Sequence, residues 1–337
     1  MIISKIVTQH YIYFNLHAEE VIYSNYINDD KSGIYGDRLQ IPTINRIIEE
    51  IEKSDTQIKN IVLDFKFINA CQPNLNRPII QLKNRGYKIL LIDISKKLCE
   101  DLSFDTIDNS NKISQGSIFT KFFLFENEIE NFTNIEINPA DIFYEKFKSS
   151  IKEYINPHSV PHTSSFVYLT SYVDMKKFMS YENKLLLFSV YKLAIKIKTE
   201  WQNEIEYEPI LICQSMNSAY IVSILSTFLK LDILIFDKIG PVNKLYNRLD
   251  NTISDKRKYI VVSDLVCLGT EVKIVKSLIQ FIGGNCLGNV SLIKTETLRK
   301  DHIKKENATI AVFSIRKENN KELKYDITTD LETLSNE

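Results

Sequence analysis

Apolar positions along the chain change period several times, and the changes mark out alternating strands and helices. Tyr11-Ile12-Tyr13-Phe14-Asn15-Leu16 and Val21-Ile22-Tyr23 are rich in aromatic and β-branched side chains, the composition of a pleated, half-buried strand. Behind Pro42, Ile44, Ile47, Ile48 and Ile51 recur at helical spacing, with Glu49, Glu50 and Glu52 on the wet face. Asn60 to Phe65 and Gly86 to Asp93 are apolar runs separated by a helix-compatible stretch from Leu75 to Leu82. Strands joined by a connection of that length predict a right-handed crossover and a parallel pair. Asp105 to Gly116 reads as an exposed polar connection, Phe119 to Phe125 as a dense aromatic strand, and Phe143, Phe147, Ile151 and Ile155 as a helix leading to Pro157.

The second half repeats the alternation with stronger signals. Leu186, Val190, Leu193, Ala194 and Ile197 share one face of a helix from Tyr181 to Ile197. Pro209 to Tyr220 then runs from strand to loop to helix, and Leu231 to Lys238 is the next strand. Tyr259 to Val262 is a short β-branched run, the reading of a strand buried on both faces of a parallel sheet. Ser263 and Asp264 are expected to end it with polar groups, and Gly269 permits a tight turn. Val272, Val275, Leu278, Ile279 and Ile282 follow at helical spacing, with Gly283-Gly284 as the stop. Leu287 to Ile293 and Thr309 to Ile315 supply further strands. The expected fold class is α/β: a small α/β domain over residues 1–145, a domain with a parallel sheet flanked by helices over 146–320, and a polar tail over 321–337.

Composition narrows the function classes. At 337 residues and 44% apolar content the chain can build two ordinary cores. Its 42 basic and 43 acidic side chains nearly cancel, so no global field favours nucleic acid or an anionic membrane as a partner. The first residues lack a signal-peptide layout and no apolar run is long enough for a bilayer, so a cytoplasmic location is expected. Cys71, Cys99, Cys213, Cys267 and Cys286 are scattered, which fits reduced thiols and no structural zinc. Asn131 and Asn307 stand in glycosylation sequons that carry no weight without secretion.

A strand, an acidic tip, a glycine-bearing loop and a helix N-terminus form a site suited to a phosphorylated sugar, because backbone N–H groups face the phosphate while a carboxylate accepts from ribose hydroxyls. Ser263-Asp264-Leu265-Val266-Cys267-Leu268-Gly269-Thr270-Glu271 resembles the ribose-phosphate-binding motif of type I phosphoribosyltransferases, most closely the orotate branch, whose pattern is E-D-L-x-S-T-G-G-S after an apolar strand. Three further stretches follow the family's order. Tyr172-Val173-Asp174-Met175-Lys176 is similar to its "Y-I-D-L-R" element, and Gln214, Ser215, Asn217 and Ser218 fall in the loop that receives pyrophosphate. Lys238 falls on the lysine of its "V-R-K" strand.

The resemblance implies phosphoribosyl pyrophosphate as ligand, with Mg2+ bridging ribose and pyrophosphate and Asp264 on the ribose and metal side. Ser263, Cys267, Gly269 and Thr270 would complete the ligand-binding turn, and Lys238, Lys244 and Arg248 would supply cations for catalysis. A solvated loop with ordinary surface charges is the competing reading of Lys244 and Arg248. Several positions depart from the pattern. Ser263 replaces an acid, Cys267 and Leu268 replace hydroxyls, the pyrophosphate loop has no glycine, and Glu271 puts a carboxylate where the pattern has a small hydroxyl, repelling a phosphate unless it turns to solvent at the first helical turn, where the helix dipole favours an acid.

Two functions follow. One is a catalytically impaired regulatory, ligand-binding or interaction module; the other is an active, atypical phosphoribosyl- or glycosyltransferase acting on a base or related nitrogen nucleophile. The partner is then a phosphorylated sugar or nucleotide, or a protein, and a homodimer is expected from the family. Residues 1–105 resemble a STAS domain, a small regulatory β/α module, although Asn69-Ala70-Cys71-Gln72-Pro73 holds no serine for phosphorylation. His158 and His162 read as loop histidines or a metal pair, Trp201 as packing or a domain contact, and Cys213 and Cys267 as neighbours at strand ends.

Overall fold

The structure is a computed structural model that describes residues 1–27, 33–54, 57–104, 112–124, 136–156, 160–161, 168–169, 172–236, 257–267, 269–296, 309–317 and 325–328. It divides into two compact units, Met1–Lys146 and Phe147–Glu337. Among the described residues no helix is long and apolar enough to cross a membrane.

Unit 1 is built on a seven-stranded mixed sheet. Its strands are β1 (Ile6–Val7), β2 (Ile12–Asn15), β4 (Asn60–Asp64), β6 (Lys88–Ile92), β7 (Ile94–Ser95), β8 (Lys112–Gln115) and β9 (Ile118–Phe123), while β3 (Arg38–Leu39) pairs in parallel with β5 (Ala70–Cys71) apart from it. The order is β1-β2-β4-β6-β9-β7, with β8 added on β9. β2, β4 and β6 are mutually parallel, as the crossover argument requires, and β9 is antiparallel to β6. The helices are α1 (Leu16–Ile27), α2 (Ile41–Glu52), α3 (Asn76–Asn84) and α4 (Lys96–Asp101). Ile44, Ile47 and Ile51 of α2 and Ile79 and Leu82 of α3 share one buried cluster with Ile12, Phe14, Ile61, Leu63, Ile89 and Leu91, so alternate strand positions face these helices.

The strand expected at Val21-Ile22-Tyr23 is instead part of α1. Leu16 through Ile22 are buried on every side of this helix, so it shows no polar face and hence no helical period. Its start was nonetheless encoded: Asn15 Oδ1 accepts from Ala18 N at 2.8 Å, the hydrogen bond of an asparagine N-cap.

Unit 2 begins inside α5 (Pro139–Ile151), where the division falls. Two short antiparallel pairs come first: β10 (Ile155–Asn156) with β13 (Tyr172–Val173), and β11 (Val160–Pro161) with β12 (Tyr168–Leu169). Helices α6 (Met175–Tyr181), α7 (Asn183–Glu200) and α8 (Gln202–Ile205) lead into the main sheet. That sheet contains β14 (Ile210–Cys213), β15 (Ile233–Ile235), β16 (Lys258–Val266), β17 (Asn285–Glu296), β18 (Ile310–Lys317) and β19 (Tyr325–Thr328) in the order β15-β14-β16-β17-β18-β19. The first five are parallel, and β19, inside the segment read as a tail, closes the edge antiparallel to β18.

Helix α9 (Met216–Leu229) follows β14, and α10 (Thr270–Phe281) follows β16. Val272, Val275 and Ile279 of α10 pack on Ile210, Ile212, Tyr259 and Val261. By strand alternation Ile260, Val262 and Asp264 point to the opposite face. The sheet is therefore flanked by helices on both faces, an α/β architecture with a parallel sheet preceded by a smaller mixed-sheet α/β unit. Phe147 stacks on Phe313 with ring centroids 3.4 Å apart, and Trp201 lies so close to Gly288 that a Cβ there would meet its ring at 2.6 Å.

Candidate functional site

The ladder between β14 and β16 ends at Ile212 opposite Val261, whereas β16 stays paired with β17 as far as Val266 opposite Lys294. Ser263 and Asp264 therefore lie inside β16 rather than beyond its tip, which corrects the expected strand end. Past Val261 the β14 side of β16 has lost its neighbouring strand, and the start of α9 fills the gap. This is the crevice outside strand carboxyl ends where open α/β sheets bind ligands.

Ser215 is the N-cap of α9, its hydroxyl accepting from Ser218 N at 3.1 Å. That cap turns the first residues of the helix towards β16. Asn217 Nδ2 donates to Asp264 Oδ2 at 3.0 Å, and Ser218 Oγ donates to Asp264 Oδ1 at 3.2 Å. Ser218 Oγ in turn accepts from Asp264 N at 3.1 Å and from the Ser215 hydroxyl at 2.7 Å. Ser215, Asn217, Ser218 and Asp264, four of the residues named from sequence, thus form one network, half-buried apart from the buried Ser218. Gln214 borders it, and its Oε1 is buried with no hydrogen-bond partner.

The other expected residues are placed as follows. Ser263 is buried in β16. Gly269 is the N-cap of α10 at φ +69°, a left-handed conformation that a side chain would strain although there is open space for a Cβ. Cys267 turns to β17, its Sγ 3.7 Å from Thr295 Oγ1. Thr295 went unnoticed in the sequence, whose only signal was a β17 run longer than expected. Leu268, Lys238, Lys244, Arg248, His158, His162 and the side chain of Thr270 lie outside the described residues. Arg257, from the same cation-bearing stretch, donates to Asp232 Oδ2 at 3.0 Å and to Glu208 O at 3.2 Å, tying strand beginnings together away from the site.

Burial sets the chemistry of the thiols. It pushes Cys213 up to about 11, with the Asp264 charge adding to the shift and the Ser215 amide opposing it. Cys267 is also raised, first by burial, against the Thr295 hydrogen bond and with help from Asp264 and Glu271. Both shifts run against the thiolate that a nucleophilic or redox role requires. Among the described residues no group of three or more His, Cys, Asp or Glu is placed to hold a metal ion. The two oxygens of Asp264 already accept hydrogen bonds, and Ser263 stands where a second acid would be needed. Among the described residues the side chains do not by themselves make a magnesium centre.

No protein-family model matches the sequence, and no curated protein is significantly similar to it. Solved structures of phosphoribosyltransferases do resemble it, at low identity and over part of the chain. Orotate phosphoribosyltransferase from Aeropyrum pernix is 13% identical with a TM-score of 0.31, the match covering 44% of this chain and 80% of that one. Adenine phosphoribosyltransferase from Thermoanaerobacter pseudethanolicus is 12% identical with a TM-score of 0.36, covering 48% and 96%. The adenine enzyme from Rhodothermus marinus is 12% identical with a TM-score of 0.36, covering 50% and 97%. At these scores the likeness does not by itself assign a function.

Proposed function

We propose that unit 2 is a phosphoribosyltransferase-like domain that retains the ligand crevice but has lost catalysis, and that the protein works as a regulatory, ligand-binding or interaction module. The observation that carries this reading is the engagement of Asp264. In a working site this carboxylate would accept from ribose hydroxyls; here Asn217 and Ser218, from the loop that would receive pyrophosphate, each donate to one of its oxygens. The loop also lacks the glycines that let backbone amides approach a phosphate closely. Electrostatic stabilisation of a leaving pyrophosphate depends on donors and cations set in advance, and replacing them with side chains bound to the acid removes much of that stabilisation. The buried Gln214 Oε1 supports retained ligand binding, since an unmade hydrogen bond costs about 1–3 kcal/mol that a ligand donor would recover. Unit 1 then supplies regulation or assembly, in keeping with its STAS-like sequence pattern.

The test is calorimetric titration with phosphoribosyl pyrophosphate and magnesium, beside a pyrophosphate-release assay with a panel of purine and pyrimidine bases. The expected result is binding by the wild type, loss of binding in Asp264→Asn, and no pyrophosphate release. Release with any base would establish the second reading, an active atypical transferase. That reading is favoured by Gly269, whose left-handed turn opens α10 with no side-chain cap on its first N–H groups. Absence of binding to a well-folded wild type would remove the phosphoribosyl ligand and leave a protein partner.

A further inference from the structure

The residues ahead of β1 are tied to unit 1 by side chains. β1 begins at Ile6, so Met1–Lys5 precede the sheet and take no part in its ladder. They are buried all the same: Ile2 and Ile3 are 4% and 5% exposed, Ser4 is fully buried, and Ile2 shares a core cluster with Ile44, Ile47 and Ile51 of α2. Ile3 N, Ser4 N and Ser4 Oγ donate to a single atom, Glu19 Oε1 on α1, at 2.9, 2.6 and 2.7 Å. Ser4 Oγ also accepts from Asn15 N at 2.9 Å, Met1 O accepts from Arg46, and Lys5 Nζ lies 3.3 Å from Glu50 Oε1.

The two oxygens of Glu19 are therefore in opposite states. Oε1 has three donors, while Oε2 is buried with no hydrogen-bond partner. Among the described residues the charged group that acts on this carboxyl is Arg46 of α2, whose guanidinium is bonded to Met1 O and lies over the Tyr23 ring. The remaining charged and titratable groups around it are engaged elsewhere. Lys5 is held by Glu50 and Ser54, His17 of α1 by Gly36 O, and Glu20 of α1 by the start of α2, while Glu49 and Glu52 of α2 pair with Lys53 and Arg85. Met1 stands exposed at the outer end of the strap. A carboxylate shut away from water with one oxygen unserved is costly; a proton on Oε2 removes the charge and leaves Oε1 able to accept.

We propose that Met1–Ser4 is a detachable strap held down by the protonated Glu19 carboxyl, and that rising pH releases it. Glu19 can ionise in two ways: under the strap, against desolvation, or with the strap lifted and water on both oxygens. Burial raises the covered carboxyl above its ordinary 4.5. Between that ordinary value and the raised one, the open form gives up its proton while the covered form keeps it. The open fraction therefore grows by up to about tenfold per pH unit over this interval and then levels off. Opening takes Ile2 and Ile3 out of the core, so the open form stays a minority that is read through local exchange. The consequence is regulatory: the part of unit 1 beneath the strap is covered in acid and uncovered more often as pH rises. This inference is independent of the phosphoribosyl reading, since it concerns the other unit.

The experiment follows amide hydrogen exchange in the full chain across a pH series, from below the ordinary glutamate value to mildly alkaline, with each rate corrected for intrinsic exchange at that pH. Protection of the Ile3 and Ser4 amides should fall by up to about tenfold per pH unit and ignore low urea, while amides in β4 and β6 report global unfolding. Glu19→Gln keeps an acceptor for the strap but cannot titrate, so the pH dependence should vanish. Arg46→Gln removes the neighbouring cation and raises the covered carboxyl further, so the levelling off should move to higher pH. The proposal is overturned if Ile3 and Ser4 are as protected as β4 and respond to urea in the same way, since the strap then opens only with the whole unit. One pH profile shared by Glu19→Gln and the wild type overturns it too. So does a levelling point unmoved by Arg46→Gln, whether or not Glu19→Gln folds.

Discussion

Each unit sets an aspartate late in a central parallel strand, and in each an asparagine, the last residue of the neighbouring strand in unit 1 and within the helix that follows it in unit 2, donates to it at the same distance. In unit 1 Asn15 Nδ2 donates to Asp64 Oδ2 at 3.0 Å; in unit 2 Asn217 Nδ2 donates to Asp264 Oδ2 at 3.0 Å. The surroundings differ. Asp64 is 1% exposed and also accepts from Tyr13 OH at 2.5 Å, with Asn15 and Tyr13 equally buried and Asn15 directly opposite Asp64 in the ladder. Asp264 stands past the last β14 pair, half-buried, held by the first turn of a helix rather than by an adjoining strand. One arrangement of the same groups is locked into the sheet, where it can only hold the fold. The other faces a crevice, where the same groups can exchange partners with a ligand. Position relative to the end of the neighbouring strand, not residue type, separates a structural acid from a candidate site.

The sharpest way to break this comparison is Asp64→Ala. Removing the acceptor takes the carboxylate partner from Tyr13 OH and Asn15 Nδ2 in a water-free interior, and each buried donor deprived of such a partner costs about 1–3 kcal/mol. Urea unfolding should show that loss, and a cost below about 1 kcal/mol would mean that the two aspartates are equally dispensable. Next in size is Gly288→Ala, which asks how rigid unit 2 is around its own sheet. A methyl at 2.6 Å from the Trp201 ring forces either the ring or β17 to move, and overpacking of this kind costs about 1–3 kcal/mol. An unchanged Tm would show that Trp201 has room to turn away.

Unit 1 buries another acid, Glu19, whose effect is read through pH. Burial raises Glu19 above its ordinary 4.5, outweighing hydrogen bonds from Ser4 and Ile3 and the Arg46 charge, and its Oε2 has no partner. A carboxyl raised in the folded state binds its proton more tightly there than when unfolded. Its contribution is complete below 4.5 and is lost as pH rises through the folded value, so stability falls over that interval. Glu19→Gln cannot titrate and should flatten the decline when unfolding is followed across a pH series. Parallel curves for the variant and the wild type would assign the slope to other groups.

What the sequence disclosed tracks the same division between buried and open surroundings. The β14 to α9 and β16 to α10 junctions were legible because apolar runs, caps and glycines change abruptly there, and the parallel pair of β4 and β6 followed from the length of its connection. α1 was misread because burial on all sides erased its period, leaving only β-branched and aromatic composition to judge by. The residues of the Asp264 network could be named individually, but not their mutual hydrogen bonds. Those depend on β14 ending five residues before β16 does on its other side, a register relation that local sequence does not carry.

Asp264→Asn is the smallest expected change in stability and the one that tests the comparison from the other side. The amide oxygen of the new side chain still accepts from Asn217 or Ser218, while its NH2 meets a donor in place of an acceptor. Because the position is half-exposed, water can serve the group left over, so the loss should stay within about 1 kcal/mol. A chain that unfolds at nearly the wild-type urea concentration, yet no longer binds a phosphorylated sugar, is the behaviour of an acid kept for a ligand. If instead Asp264→Asn destabilises unit 2 as severely as Asp64→Ala destabilises unit 1, Asn217 and Ser218 are its permanent partners. The crevice would then be a second copy of the structural lock in unit 1.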